Sequence, residues 1–139
     1  MSKTQTLSSH NIKTVVYSDF FTDFSVNSAT GRLNTKTNEI AVTQSVRNLL
    51  LTDHYERPFQ PNIGSNLRAM LFENFTPATE LQVETYVKEV FDNHEPRANL
   101  IEVSTIPNAD MNSIGVTIVF SIINSTAPTQ MDLMIERVR

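Results

Sequence analysis

A chain of 139 residues with 40% hydrophobic and 19% charged side chains fits one compact domain around a single core. The absence of cysteine excludes disulfides, thiolate metal sites and a cysteine nucleophile, and a net charge of −4 with no Lys/Arg cluster argues against nonspecific nucleic-acid binding. No window is apolar enough to span a membrane, and Met1 to Lys13 lacks a signal-peptide core, so the reading is a soluble protein assembled in the cytosol.

Residues 1–14 read as a polar N-terminal tail that only a partner would order, and residues 15–139 as one domain. Val15-Val16-Tyr17-Ser18-Asp19-Phe20-Phe21 is too short for a stable helix and is expected to pack as an extended arm, continued by Phe24 and Val26. Ser28 to Asn38, with Thr30-Gly31-Arg32, reads as a turn-rich loop.

Three helices are predicted next. Asn38 is the expected cap of the first, in which Val42, Val46, Leu49 and Leu50 keep helical spacing up to about Leu51. Arg57 to Gly64 holds two prolines and a glycine and is therefore a shaped loop. A short helix from Ser65 would place Leu67, Met70, Leu71 and Phe75 on one side. Thr76 then caps the third helix and Pro77 suits its first position, with Glu80 and Glu84 near the positive end of the dipole. Val83, Val87, Val90 and Phe91 give this helix one apolar face, and Pro96 ends it by His94 or Glu95.

The period then changes from helical to alternating. Leu100 to Ile106 is strand-like, and Ile114, Val116, Ile118, Phe120 and Ile122 alternate cleanly. Met131, Leu133 and Ile135 alternate with Gln130, Asp132, Met134 and Glu136. The fold class is α+β, with three helices packed on a small antiparallel three-stranded meander. Ile114 to Ile123 is apolar on both faces and is expected in the centre, leaving Leu100–Ile106 and Gln130–Val138 as edges. Gln130 to Ile135 carries only Asp132 as a guard, so strand addition at Gln130, Met131, Asp132, Leu133, Met134, Ile135 and Glu136 is one reading. A loop or the N-terminal arm covering that edge is the other.

His10, His54 and His94 are scattered, and the three glycines lie far apart, so neither a metal motif nor a phosphate cradle is present and no cofactor is expected. An enzyme would have to rest on carboxylates: Glu73 and Glu95, with Asp92 nearby, as in a glycosidase. Glu95 and Arg97 flank Pro96 and, in an extended step, point to the same side. The expectation is an exposed charged corner outside the core, able to recognise another polar surface through the guanidinium fork, whose loss would leave the fold intact.

Arg57-Pro58-Phe59, Pro61, Gly64, Leu67, Leu71-Phe72-Glu73-Asn74, Thr76-Pro77 and Glu95-Pro96-Arg97 occur in order. With Tyr17-Ser18-Asp19, Thr30-Gly31-Arg32-Leu33 and Ser45 to Leu50, they make the chain resemble the sheath-initiator family of phage baseplate wedges, which has a type VI secretion counterpart. The resemblance spans roughly residues 15 to 138. It implies a structural protein in six copies, a sheath-subunit-like sheet that starts sheath polymerisation, and wedge proteins and tail sheath protein as partners, with tail tube or hub as further ones. It also implies that Glu95, Pro96 and Arg97 hold the wedge core bundle, and a place in the virion tail baseplate after assembly in the host cytoplasm. Members often carry a lysozyme label, which keeps a peptidoglycan-cleaving glycosidase as the alternative. The longer N-terminal region, Met1 to Lys13 with the Phe20 to Phe24 run, departs from the family pattern.

Overall fold

The computed structural model describes residues 15–108, 113–123, 125 and 127–136; the expected N-terminal tail and Val138 lie outside them. In chain order the elements are β1 (Ser18–Phe20), β2 (Thr35–Thr37), α1 (Asn38–Leu51), a 3₁₀ helix (Leu67–Phe72), α2 (Pro77–His94), β3 (Ala98–Asn108), β4 (Ser113–Ile122) and β5 (Pro128–Glu136). β1 and β2 form a small antiparallel ribbon, and β3, β4 and β5 an antiparallel sheet with β4 in the centre. The α+β class, the meander and its central strand follow the sequence reading.

The helices cover one face of that sheet. Val83, Val87, Val90 and Phe91 of α2 are buried, as are Val42, Val46, Leu49 and Leu50 of α1. They pack with Ile114, Val116, Ile118, Phe120 and Ile122 of β4 and with Met131, Leu133 and Ile135 of β5. Phe120 is fully buried with its ring centroid 5.5 Å from that of Phe91, tying the central strand to α2. Burying a side chain of this size is favourable by about 1.5–3 kcal/mol, so these aromatic and branched residues set how the layers stack.

Element boundaries show where local chemistry wins. α2 begins in a capping box: Thr79 N donates to Thr76 Oγ1 at 3.3 Å, Thr76 N donates to Thr79 Oγ1 at 3.3 Å, and Pro77 follows the cap. Asn38 does not cap α1. Thr37 holds the cap position without a side-chain bond, because Asn38 Oδ1 instead accepts from Val16 N at 2.8 Å and Tyr17 N at 3.2 Å. The short helix from Ser65 is a 3₁₀ segment with Leu67 and Met70 buried, while Phe75 lies beyond it and is 37% exposed. β3 starts two residues earlier and ends two residues later than the alternation suggests, and its register shifts between Leu100 and Glu102.

Candidate functional site

Glu95 closes α2, with its amide donating to Phe91 O at 3.2 Å, and its φ of −129° turns the chain out of the helix. Pro96 makes continuation impossible, and Arg97 leads into β3, with its carbonyl accepting from Ile123 N at 2.9 Å beyond β4. The step does bring Glu95 and Arg97 together. Arg97 Nε donates to Glu95 Oε1 at 2.6 Å and Nη2 to Oε2 at 2.8 Å, a fork-to-fork pair.

The expectation of an exposed carboxylate is corrected here. Glu95 is only 1% exposed, sealed in the seam between α1 and α2, and the 27% exposed Arg97 side chain is the charged part of the motif that meets solvent. Burial on its own would raise the Glu95 pKa, but hydrogen bonds from Arg97 and Ser45 and the charge of Arg97 outweigh it and hold the carboxyl below its ordinary range. The bonds from Glu95 in turn push the Arg97 pKa upward, with burial opposing. Glu95 thus holds the Arg97 guanidinium in position.

Two residues that the sequence reading left out of this corner complete it. Asp19 Oδ2 of β1 lies 3.5 Å from Arg97 Nη1, and the Tyr17 ring lies 5.6 Å from Arg97 Cζ. The alternation of Tyr17, Ser18 and Asp19 was the available signal, since residues two apart on a strand share a face. Their docking to Arg97 depends on the ribbon folding back over the end of α2, which no local pattern encodes.

Among the described residues, β5 pairs with β4 alone. Gln130, Asp132, Met134 and Glu136 face outward and Met131, Leu133 and Ile135 inward. Asp132 is not a charge hanging off the edge: its Oδ1 accepts from Thr117 Oγ1 of β4 at 2.9 Å and from Gln130 Nε2 at 3.2 Å. The opposite edge, β3, carries both Pro107 and the register shift, devices that discourage pairing.

The family model described as baseplate wedge protein gp25 matches residues 36–127, which hold α1, the 3₁₀ helix, α2, the Glu-Pro-Arg corner and two strands of the sheet. The chain belongs to this family. It is similar to the baseplate wedge protein gp25 of Enterobacteria phage T4, 35% identical over 85 residues, covering 61% of this chain and 64% of that protein. Among solved structures, the gp25-family chain resembles a putative tail lysozyme from Geobacter sulfurreducens at a TM-score of 0.64 and 22% identity, over 70% of this chain and 89% of the other. It also resembles a chain of the anti-feeding prophage baseplate at a TM-score of 0.62 and 21% identity, over 85% and 83%. A chain of the postcontracted pyocin R2 baseplate follows at 0.52 and 18%, over 82% and 98%.

On this gp25-family fold Glu73 and Glu95 are not a pair. Glu73 lines an open cleft of about 230 Å³ with Met70, Asn74, Pro107 and Ile114, at the far end of β3. Glu95 stands next to the other end, at Ala98, so nine residues of strand at about 3.3 Å each put roughly 30 Å between the two positions. Paired glycosidase carboxylates work roughly 5–10 Å apart. Asp92, on α2, faces solvent.

Proposed function

We propose that this chain is a structural subunit of the baseplate wedge of a contractile tail, held by other wedge proteins at Glu95, Pro96 and Arg97 and offering the β5 edge to a tail sheath strand. It works without chemistry of its own: no cofactor, no metal and no peptidoglycan cleavage. Six copies around the tail, assembled in the host cytoplasm and carried in the virion baseplate, would present six such edges.

The observation that carries the sheath reading is the β5 edge itself. β5 is nine residues long, alternates cleanly, and has its one mid-strand charge drawn across the sheet face onto Thr117. Main-chain donors and acceptors on that edge would be satisfied by an added strand, with Gln130 to Glu136 setting side-chain specificity. For the wedge contact, the support is a guanidinium locked in orientation by a buried carboxylate, so little side-chain entropy is lost when a partner binds it.

Two variants test the two contacts separately. A proline scan over Gln130 to Glu136 should yield some folded domains, since proline is tolerated on an edge strand where the amide points outward. Baseplates carrying those folded variants should form without extended sheath. Arg97→Lys keeps the charge but loses the fork, and should reduce co-purification with the wedge in a domain that still folds, with a smaller fall in melting temperature than Arg97→Ala gives. Normal sheath growth from every folded proline variant would remove the strand-addition reading, and full wedge recovery of Arg97→Lys would remove the anchor.

A further inference from the structure

Gly115 lies near the start of the central strand, where β-branched and aromatic residues are favoured and glycine weakens the pairing. The fold does not require it there. Its φ is outside the left-handed region, and an added Cβ would meet only Ile106 O at 3.6 Å, an ordinary contact. The next two outward positions of β4 hold Thr117 and Val119, as expected for a strand. Register sets Ile106 of β3 and Met134 of β5 on either side of Gly115, 67% and 64% exposed, with about 9.5 Å of sheet between their backbones. Together they make an apolar hole with a glycine floor, on the sheet face that the helices leave open. The three strands carry no Lys or Arg, and their charged side chains, Glu102, Asp132 and Glu136, are all exposed on this same face.

A second feature is equally unused by the domain. Phe59 is fully exposed at φ 68°, a costly conformation for a bulky side chain that packs on nothing in its own chain. The loop that carries it is closed and held: Ser65 N donates to Thr52 O at 2.8 Å, Tyr55 N to Pro61 O at 3.0 Å and Gln60 N to Arg57 O at 3.3 Å. His94 Nε2 of α2 donates to Asn62 O at 3.0 Å, which ties the loop to the helical layer. Glu56 folds back on the loop, its Oε2 accepting from Asp53 N at 2.9 Å, so the exposed Arg57 is the charge presented beside Phe59. An aromatic knob fixed in advance loses little freedom when it is covered.

Knob and hole match in shape and charge. An aromatic ring laid on a strand glycine supplies the cover that its missing side chain would give, and the Met134 thioether favours an aromatic neighbour. Arg57, two residues from the ring, would meet a face whose charged groups are carboxylates. The loop belongs to the helical layer and the hole to the opposite face of the sheet, so such a contact joins two chains. We infer that Phe59 of one copy enters the hole formed by Ile106, Gly115 and Met134 of the next, with Arg57 against the carboxylates around it. A knob on one side and a hole on the other make a head-to-tail contact, the kind that builds rings. The inference rests on several copies standing around one tail, and uses neither the Glu-Pro-Arg corner nor the main chain of the β5 edge.

The chain has no cysteine, so introduced thiols report alone. The variant Gln60→Cys/Ser104→Cys, with one thiol beside each half of the contact, is treated with a short bismaleimide in purified baseplates of its own tail. A ladder of cross-linked copies is expected, and none from either single variant. Adding Gly115→Thr should cut the cross-linking at least about tenfold, as for loss of an interface anchor, while the melting temperature stays level or rises. A glycine kept for the fold would give the opposite. Phe59→Ala should cut the cross-linking likewise and leave the melting curve unchanged. A Gly115→Thr domain that melts lower or fails to fold would overturn the inference, as would cross-linking that persists in Phe59→Ala. Baseplates that contain the chain yet yield no ladder would overturn it and leave the structural role standing. A chain missing from purified baseplates would remove both.

Discussion

Arg97 grips Glu95 through one edge of its guanidinium, Nε and Nη2, and the two residues differ sharply in exposure: the carboxylate is sealed and the guanidinium is not. That asymmetry predicts unequal costs. Arg97→Ala strands a carboxylate in the seam between α1 and α2 and should destabilise the domain by about 3–5 kcal/mol, the range for breaking a buried pair. Glu95→Ala leaves a guanidinium that water can still reach, and should cost less, about 2 kcal/mol. Urea denaturation of both variants checks the order, and equal losses would mean that Glu95 is not held as tightly as the two bonds indicate.

The same pair sets the acid limit of the fold. Glu95 has a folded pKa below its ordinary value of 4.5. The unfolded chain therefore binds more protons than the native one across that interval, so stability rises with pH there. The contribution is complete above 4.5 and is lost as pH falls through the lowered native value. Melting temperatures measured from neutral pH downward should drop steeply below that point in the parent. In Glu95→Gln, already weaker at neutral pH, that part of the acid slope should vanish.

Much of this was legible in the chain. Periodicity identified α2, its Thr76 cap, the meander and the central position of β4, because each rests on patterns within one element. What it misplaced depends on distant partners. Glu95 reads as an exposed helix end, since a Glu before a Pro usually is one; that Ser45 and Arg97 enclose it is a tertiary fact. Asn38 has the chemistry of a cap, yet spends its side chain on Val16 and Tyr17, residues 22 and 21 positions away. Glu73 and Glu95 were both plausible acids until the length of β3 separated them.

Gly64 makes a sharper demand on the backbone. Its φ is 131°, and an added Cβ would stand 2.5 Å from Thr52 O and 3.0 Å from Asp53 C, where Ser65 N bonds Thr52 O at 2.8 Å. Gly64→Ala combines a disfavoured conformation with a backbone clash and should cost about 3 kcal/mol or more, at the upper end for strained positions. Gly31, at φ 65° with nothing within 4 Å of an added Cβ, should lose only about 1 kcal/mol on the same change. Thermal melts of the two alanine variants should keep that order.

Asn38 joins the ribbon to the body, and two substitutions there separate its roles. Its φ of 51° lies in the left-handed region, its amide donates to Tyr17 O at 2.8 Å, and Oδ1 accepts from the amides of Val16 and Tyr17. Asn38→Gly keeps the conformation and the backbone bond but loses the acceptor, a change of roughly 1 kcal/mol for exposed to half-buried bonds. Asn38→Ala adds conformational strain to the same loss and should cost about 1 kcal/mol more. Hydrogen exchange at the Val16 and Tyr17 amides should accelerate in both variants, because both remove the acceptor, whereas the stability loss should be larger in Asn38→Ala. The ribbon supplies Asp19 and Tyr17 to Arg97, so freeing it should also raise the mobility of the Arg97 side chain, visible as narrowed guanidinium NMR signals. Unchanged exchange at Val16 in a folded Asn38→Gly would show that the ribbon is held by its other contacts alone.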